Sequence, residues 1–372
     1  MRRLILSCLA SVLVYAAVFG FVLDRPLAYG FLERQIDAKL ARGAALNRPK
    51  LVILAGSNGP YSHRCETIEP IIGIACVNGG VAVGIGLDYL FARWRPLLHS
   101  GDIVYLPMEE AQYARSRAAT AVGPDAAIMF RHDWTTLAKL PAYRWLAALF
   151  SFDLRFGVMA LLERGLVTAG FHDPRAEVTG RMNAWGDHVG HIAALGDPSG
   201  TAVRPPHVTP DDVRDGFGAA VIASFVRWAA AHQVRVIGGW STEPADSPMP
   251  QATRQAIRAV YLDNGGTFLE LPNRSLYPRA AFFDTPDHLN ETWQIRHSVA
   301  IAEALRAMLV QPDEAASESA TSSRRTSPGP DTGADQEIRS TCSFCPKSQP
   351  STSTATICQP PCPPAIRASA SG

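Results

Sequence analysis

A short apolar segment that ends in a glycine-rich turn places the strongest constraint on the fold of this chain. Leu51-Val52-Ile53-Leu54 contains no polar residue, and Gly56-Ser57-Asn58-Gly59 follows almost directly. The apolar run predicts a buried strand, and glycine and asparagine tolerate the backbone angles of a tight turn. Ser57 is therefore expected at the carboxyl end of a strand, where open parallel sheets bind their ligands.

Further strand-like segments alternate with segments that have helical spacing of apolar residues. The predicted strands are Lys50–Ala55, Ile71–Val77, Asp102–Pro107, Val234–Trp240 and Thr267–Leu271. The predicted helices include Asp211–Gln233 and the last helix, Glu291–Leu309. This alternation predicts an α/β fold with a mainly parallel sheet. The apolar, aromatic stretch Leu137–Leu166 is expected to form helices of a cap or insertion within residues 111–210, with plain core helices as the alternative. The glycines of 79–86 do not form a dinucleotide-binding motif, because Tyr89 occupies the third glycine position.

A second polar motif lies near the end of the predicted domain. Asp284, Asp287 and His288 precede the last amphipathic helix, for which Asn290 is the expected N-cap. An early serine with a late acid and histidine supplies the parts of a nucleophile, a base and a group that orients the base. Because Pro286 favours a turn, Asp284 is predicted to fold back onto His288. Asp287 is the alternative, although adjacent side chains usually diverge.

Together these motifs resemble the SGNH/GDSL hydrolase superfamily, and more closely its membrane-anchored branch that handles acyl groups on bacterial cell-surface polymers. The motifs that carry the resemblance are Gly56-Ser57-Asn58, Val77-Asn78-Gly79-Gly80, Gly101–Glu109 and Asp284–Asn290. The resemblance implies a three-layer, flavodoxin-like fold with helices on both faces of the sheet. The family's third motif ends in an asparagine that donates to the oxyanion, whereas Glu109 and Glu110 stand here, which favours acyl transfer or an inactive relative.

The resemblance also implies roles for individual residues. Ser57 is expected to be the nucleophile and His288 its base, with Asp284 as the residue that orients His288. Gly80 is expected to contribute to the oxyanion hole, and the candidate side-chain donors to that hole are Asn58 and Asn78. Glu109, Asn183 and Asp187 are expected to contact substrate.

A metal or cofactor is not expected. His188 and His191 beside Asp187 are a candidate pair of metal ligands, but the spacing fixes no third ligand. The tail cysteines have spacing similar to a zinc ribbon, but prolines crowd the intervening loops; these cysteines are Cys342, Cys345, Cys358 and Cys362. A disordered tail is the favoured interpretation of residues 311–372, which are rich in Ser, Thr and Pro.

The N-terminal segment predicts export. Leu4–Leu23 carries no charge, and its 20 residues span about 30 Å as a helix, enough to cross a bilayer. We expect a retained membrane anchor over residues 1–24 and a linker helix over 25–49, with a cleaved signal peptide as the alternative. The α/β domain is then 50–310 and lies outside the cytoplasm, attached to the inner membrane. In that compartment Cys65 and Cys76 are predicted to form a disulfide.

The expected function is that of an exported ester hydrolase or O-acyltransferase acting on acyl groups of a cell-envelope or extracellular polysaccharide. The alternative is an inactive scaffold or glycan-binding subunit of a polysaccharide modification complex. An integral-membrane acyltransferase is a candidate partner. The formal net charge of +1 and the lack of a basic patch argue against a nucleic-acid partner.

Overall fold

The computed structural model describes residues 1–23, 30–47, 49–149, 181–202 and 207–323, together with isolated positions between 162 and 171. Residues Met1–Glu318 form one compact unit, and Ser319–Gly372 are assigned to a second unit. The predictions for the tail beyond residue 323, including its four cysteines, lie outside the described residues. Part of the predicted cap, between residues 150 and 180, is also mostly outside them.

A parallel five-stranded sheet forms the centre of the first unit, which confirms an α/β fold with a mainly parallel sheet. The strand order is β2-β1-β3-β4-β6, and each neighbouring pair is parallel. The strands are β1 Lys50–Ile53, β2 Ala75–Asn78, β3 Ile103–Leu106, β4 Arg235–Gly239 and β6 Thr267–Leu269, and the short β5 Glu243–Pro244 pairs separately with β7 Leu276–Tyr277. All five predicted strands are present in this sheet.

Helices precede β1, follow β7 and occupy connections between the strands of the described structure. In chain order they are α1 Arg2–Leu23, α2 Gly30–Ala45, α3 Asn58–Ser62, α4 Cys65–Ile72, α5 Leu87–Trp94, α6 Glu110–Ala114, α7 Arg117–Ala121, α8 Pro124–His132, α9 Trp134–Leu137, α10 Ala142–Leu149, α11 Pro198–Ala202, α12 Pro210–Asp215, α13 Phe217–Ala231, α14 Gln251–Leu262 and α15 Glu291–Ser323. The helix predicted over 211–233 is two helices, separated at Gly216. The last helix continues to Ser323, beyond the predicted end at Leu309.

The two faces of the sheet are both covered. Successive strand residues point to opposite sides, so Val52 and Leu51 belong to different hydrophobic clusters. The larger cluster contains side chains of α5 and α13, such as Phe91 and Phe225, and the smaller contains those of α4 and α15. Helices therefore form a layer on each face of the sheet.

The topology of the sheet creates a crevice at one edge. The chain passes from β1 outward to β2 and then returns to β3 on the other side of β1. At such a reversal the loops after the two central strands diverge, and ligands bind between them. Ser57 follows β1 and Glu109 follows β3, so both residues lie at this edge. At the opposite edge, Lys50 forms a buried ion pair with Asp102, with 2.8 Å between Nζ and Oδ2.

The N-terminal helix α1 contains the segment predicted to span the membrane, Leu4–Leu23. Among the described residues, however, no helix is both long enough and apolar enough to cross a bilayer, so the structure does not support the transmembrane part of the predicted architecture. The Tyr15 hydroxyl of α1 donates a hydrogen bond of 3.0 Å to the Leu149 carbonyl in α10.

The structure contains the predicted Cys65–Cys76 disulfide. The two Cα atoms are 5.3 Å apart, and both side chains are fully buried. The bond joins the first turn of α4 to β2. It therefore stabilises the connection between the first two strands of the sheet.

We expect the double variant Cys65→Ala/Cys76→Ala to lose about 2–3 kcal/mol of unfolding free energy, because the short closed loop restricts the unfolded chain. Chemical denaturation measures the loss, and Cys8→Ala, which removes an exposed free thiol, is the matched control. Mass spectrometry of unreduced peptides should find Cys65 linked to Cys76. Two free thiols at these positions in protein from an oxidising compartment would contradict this prediction.

Candidate active site

A cavity of about 240 Å³ lies where the loops after β1 and β2 meet the segment 284–290. Ser57 and His288 both line it, so the structure brings together the two residues expected to carry the chemistry. The remaining lining residues are Leu32, Gln35, Lys39, Pro60, Tyr61, Val81, Ala82, Met182, Gly186 and His188. Most of this wall is apolar.

The turn that carries Ser57 is packed tightly. Ser57 is half-buried and takes the N-cap position of α3 with φ −66° and ψ −25°. The Gly59 N–H donates to the Gly56 carbonyl at 3.2 Å and closes the turn. Gly80 of the second motif packs against it, and a Cβ on Gly80 would lie 2.9 Å from the Gly56 carbonyl oxygen and 2.9 Å from the Gly59 Cα. This close approach requires glycine at position 80.

His288 and Asp284 are joined as predicted from the turn between them. His288 Nδ1 lies 2.7 Å from Asp284 Oδ1. The His288 N–H donates to the Thr285 carbonyl at 3.3 Å, and the Phe283 N–H donates to the His288 carbonyl at 2.8 Å. The chain therefore reverses between Asp284 and His288, and this reversal brings the Asp284 carboxylate onto the ring.

The hydrogen bond keeps Asp284 ionised. Burial raises the pKa of the Asp284 carboxyl, but the hydrogen bond and the charge of His288 outweigh burial and hold the pKa below its usual value. An ionised carboxylate on Nδ1 leaves the second ring nitrogen of His288 to accept a proton.

The His288 segment is fastened to the helix that follows Ser57. The Ser62 and Thr242 hydroxyls both donate to the Asp287 carbonyl, at 2.9 and 3.0 Å. The Leu289 N–H in turn donates to Ser62 Oγ at 3.3 Å. Among the described residues no hydrogen bond joins the Ser57 hydroxyl to the His288 ring, although both residues line the cavity.

The Tyr61 ring lies between two histidine rings, a feature that the sequence analysis missed. The His288 and His188 rings are each stacked on it, with centroid distances of 4.2 Å and interplanar angles of 10° and 17°. The two histidine rings lie on opposite faces of the Tyr61 ring, because two rings stacked at this distance on the same face would overlap. Tyr61 follows Ser57 by four residues, the spacing that puts two side chains on one helix face, and this was the signal available in the sequence.

The histidine beyond Tyr61 is uncharged at neutral pH. His188 Nδ1 lies 3.2 Å from His191 Nδ1, and burial, reinforced by His191, lowers the pKa of His188 to about 3. Burial likewise lowers the pKa of His191, to about 4. Within the described part of the chain no group of three or more His, Cys, Asp or Glu side chains is arranged to hold a metal ion.

The two asparagines proposed as oxyanion donors have other partners. Asn58 is fully buried, and its amide donates to the Pro107 carbonyl at 2.7 Å. The Asn78 amide donates to the Gly59 and His63 carbonyls at 3.0 Å, and its oxygen accepts from the Gly80 N–H at 3.3 Å. Their contacts therefore do not support the oxyanion role, and the Gly80 N–H is also engaged.

Asn183 and Asp187, predicted to contact substrate, form hydrogen bonds that hold a loop together. The Asp187 oxygens accept from the Cys65 and Glu66 N–H groups at 2.8 and 3.1 Å, which caps the start of α4. The Asn183 amide donates to Asp187 Oδ2 at 3.1 Å. Neither side chain lines the cavity, so the structure gives both a supporting position behind it.

Glu109 occupies the turn beside Ser57. Only 8% of the residue is exposed, and its Oε1 accepts from the Asn58 N–H at 3.3 Å. A Cβ on Gly56 would lie 2.6 Å from the same oxygen, so the carboxyl group packs directly on the turn. Burial and the charge of Asp287 raise the pKa of Glu109 to about 7, against the opposing influence of His288.

We expect Glu109→Gln to change the pH dependence of stability. The folded-state pKa of about 7 lies above the usual 4.5, so the folded protein binds this proton more tightly than the unfolded chain. The stabilisation is complete below about pH 4.5 and is lost as the pH rises to about 7. The unfolding free energy of the wild type should therefore fall across this window relative to Glu109→Gln, whereas the surface variant Glu270→Gln should follow the wild type. Parallel curves for the wild type and Glu109→Gln would contradict the assignment.

Comparisons of the chain with protein-family models, with curated proteins and with solved structures find no match. The resemblance described above therefore rests on the motifs themselves.

Proposed function

We propose that the protein is a serine-dependent ester hydrolase or O-acyltransferase that acts on acyl groups of a cell-envelope or extracellular polysaccharide. The observation that carries this proposal is one cavity lined by Ser57 and His288, with Asp284 hydrogen-bonded to the ring of His288. The strand order supports the finer fold assignment, because it is the flavodoxin-like order expected of the SGNH type. The buried Cys65–Cys76 disulfide supports a location outside the cytoplasm.

In the proposed reaction, Ser57 Oγ attacks the ester carbonyl carbon while His288 Nε2 accepts the hydroxyl proton. Asp284 holds the other ring nitrogen protonated and stabilises the imidazolium ion. The tetrahedral intermediate collapses, the bond to the alcohol breaks, and His288 returns the proton to the departing oxygen. A water molecule or a sugar hydroxyl then loses its proton to His288 and attacks the acyl group on Ser57. The bond between the acyl carbon and Ser57 Oγ breaks, and His288 returns the proton to Oγ, which regenerates the serine.

The developing oxyanion requires hydrogen-bond donors. Among the described contacts the Ser57 N–H has no acceptor, whereas the Gly80 N–H already donates to Asn78. We therefore assign the Ser57 N–H as the first donor. The Gly80 N–H can serve as a second donor only when the substrate oxyanion replaces Asn78 Oδ1 as its acceptor. The hydrogen bond to Asn78 Oδ1 is long, at 3.3 Å.

The second candidate function is a non-catalytic scaffold or glycan-binding subunit. Two observations favour it: Glu109 replaces the asparagine of the family's third motif, and the Ser57 hydroxyl makes no hydrogen bond to His288 among the described residues. The cavity would then bind glycan without turning it over. Covalent labelling of the serine separates the two functions.

We expect a fluorophosphonate probe to label the wild-type protein stoichiometrically at Ser57. Ser57→Ala should abolish labelling and lower kcat for a model acyl ester more than about 10³-fold, because the nucleophile is removed. The fold should persist, since Ser57 is small and half-buried, and circular dichroism checks this. Ser100→Ala, at an exposed serine, is the control. Absence of labelling in correctly folded wild-type protein would favour the scaffold.

We expect Asp284→Asn and Asp287→Asn to differ sharply in the same assay. Loss of the carboxylate on the His288 ring should reduce kcat by about 10⁴-fold, by analogy with serine proteases. Asp287 contributes its backbone carbonyl to Ser62 and Thr242, which the variant retains, so its loss should cost less than about tenfold. A nearly silent Asp284→Asn beside an inactive Asp287→Asn would reverse the assignment, and two silent variants would exclude the triad.

A further inference from the structure

A lysine lies in the wall of the cavity that Ser57 and His288 share. Lys39, in the second half of α2, is 2% exposed and lines the cavity. Its ammonium group donates to the carbonyl of Gly80, the residue whose Cα packs on the Ser57 turn. The Lys39 ammonium group therefore contacts Gly80, and Gly80 in turn contacts the turn that holds the proposed nucleophile.

Lys39 differs from the other deeply buried cations of the described structure. Lys50 pairs with Asp102, Arg144 with Asp125, and Arg254 with Glu243, each within ion-pair distance. Among the described residues, no carboxylate lies within 4.0 Å of the Lys39 nitrogen. A buried cation without a paired anion is costly, and such groups are concentrated at functional sites.

The surroundings of Lys39 leave its charge poorly neutralised. Asp187 is the carboxylate that acts on it electrostatically, but both Asp187 oxygens are already held by N–H donors. His188, the titratable group of the adjoining loop, is neutral. Across the cavity, Asp284 is hydrogen-bonded to His288.

A second polar donor stands one helical turn away. Gln35 precedes Lys39 by four residues, so both side chains lie on the same face of α2 and line the cavity. The neighbouring walls are apolar and include Leu32, Val81 and Met182. The low polarity of these walls strengthens attraction between the ammonium group and any anion that enters.

We propose that Lys39 and Gln35 form the binding site for a carboxylate of the ligand, so that the ligand is an acidic sugar, a uronate unit of the polysaccharide. That the ligand is a sugar rests on the proposed function. That it carries a negative charge rests on the side chains that line the cavity. One cation and one amide match a singly charged, planar carboxylate. The carboxylate supplies the missing ion-pair partner of Lys39, while the sugar presents its ester to Ser57.

The test uses Ser57→Ala protein, so that binding is measured without turnover. Titration calorimetry compares D-glucuronate with D-glucose, which has the same ring and no charge, and with D-glucose 6-phosphate, which carries more charge. We expect glucuronate to bind at least tenfold more tightly than either. Lys39→Met in the same background should remove the preference over glucose, and Lys139→Met, at an exposed lysine, should leave it intact.

The pH dependence distinguishes ligand binding from a purely structural role of Lys39. Burial lowers the pKa of Lys39 to about 7, against the opposing influence of Asp187, and only the ammonium form attracts the anion. Glucuronate affinity should therefore fall about tenfold between pH 6 and pH 8, since one proton is lost over that range. Glucose affinity should stay constant. This measurement needs no substitution at Lys39, so it remains decisive even when Lys39→Met does not fold, and Gln35→Leu provides a second variant.

Equal affinity for glucuronate and glucose, absence of glucuronate binding, or a preference that survives Lys39→Met would each overturn the proposal. Tighter binding of the phosphate would overturn the assignment to a carboxylate. Fluorophosphonate labelling of the wild type separates this result from the proposed function. Labelling without a preference for uronate would contradict the acidic ligand and support the esterase. A preference for uronate without labelling would support the anion site and contradict the enzymatic function.

Discussion

The geometry of the cavity depends on one carbonyl group, that of Asp287. Hydroxyls from Ser62 and Thr242 converge on it, and through them α3, the loop after β4 and the His288 segment become one unit. Because Ser57 caps the start of α3 and Ser62 ends it, the position of the histidine is set relative to the serine by a single short helix. A loop that joins the last strand to the last helix would otherwise be among the more mobile parts of an α/β domain. These hydrogen bonds remove that freedom where catalysis would require a fixed distance.

A buried ion pair lies at one edge of the sheet, whereas two buried ionisable side chains at the other edge are unpaired within the described structure. At the amino edge, Lys50 and Asp102 neutralise each other, and the Asp102 carboxylate also accepts two backbone N–H groups. At the carboxyl edge, neither Lys39 nor Glu109 has an oppositely charged side chain within 4.0 Å among the described residues, and the pKa of each is moved to about 7. Ion pairing at the first edge stabilises the fold, whereas unpaired charge at the second destabilises the ligand-free protein. A cost of this kind is tolerated where a ligand or a reaction uses the group.

Much of the scaffold was predictable from local sequence, because apolar runs and helical spacing report burial directly. The five strands of the sheet followed from such signals. The turn before His288 followed from Pro286, and the Cys65–Cys76 bond followed from the predicted export of the domain. The errors arose where contacts between distant segments decide the outcome. Gly216 divides a predicted helix because its backbone is extended, with φ −66° and ψ 127°. A Cβ at this position would lie 2.1 Å from the Tyr113 carbonyl oxygen, so glycine is required by a contact that spacing cannot reveal.

The same limit applies to the residues around the cavity. The contact between Asp284 and His288 was predictable because the two residues are four positions apart and a proline restricts the turn between them. Asn58, Asn78 and Asp187 are polar residues near the carboxyl edge of the sheet. Sequence alone does not distinguish a catalytic or binding role from a structural role at such positions. Loops that pack deeply bury backbone carbonyl and N–H groups, which must find partners. Polar side chains supply them, as the Asn78 amide does for the Gly59 and His63 carbonyls. Near an active site, a buried asparagine or aspartate is thus as strongly required by the backbone as by a substrate. The side chains left for ligand recognition are those that line the cavity and keep hydrogen-bonding capacity after the backbone is satisfied. Gln35 lines the cavity, and the Lys39 ammonium has three N–H donors, one of which is directed to the Gly80 carbonyl. By this criterion both residues of α2 are stronger candidates than Asn183 or Asp187.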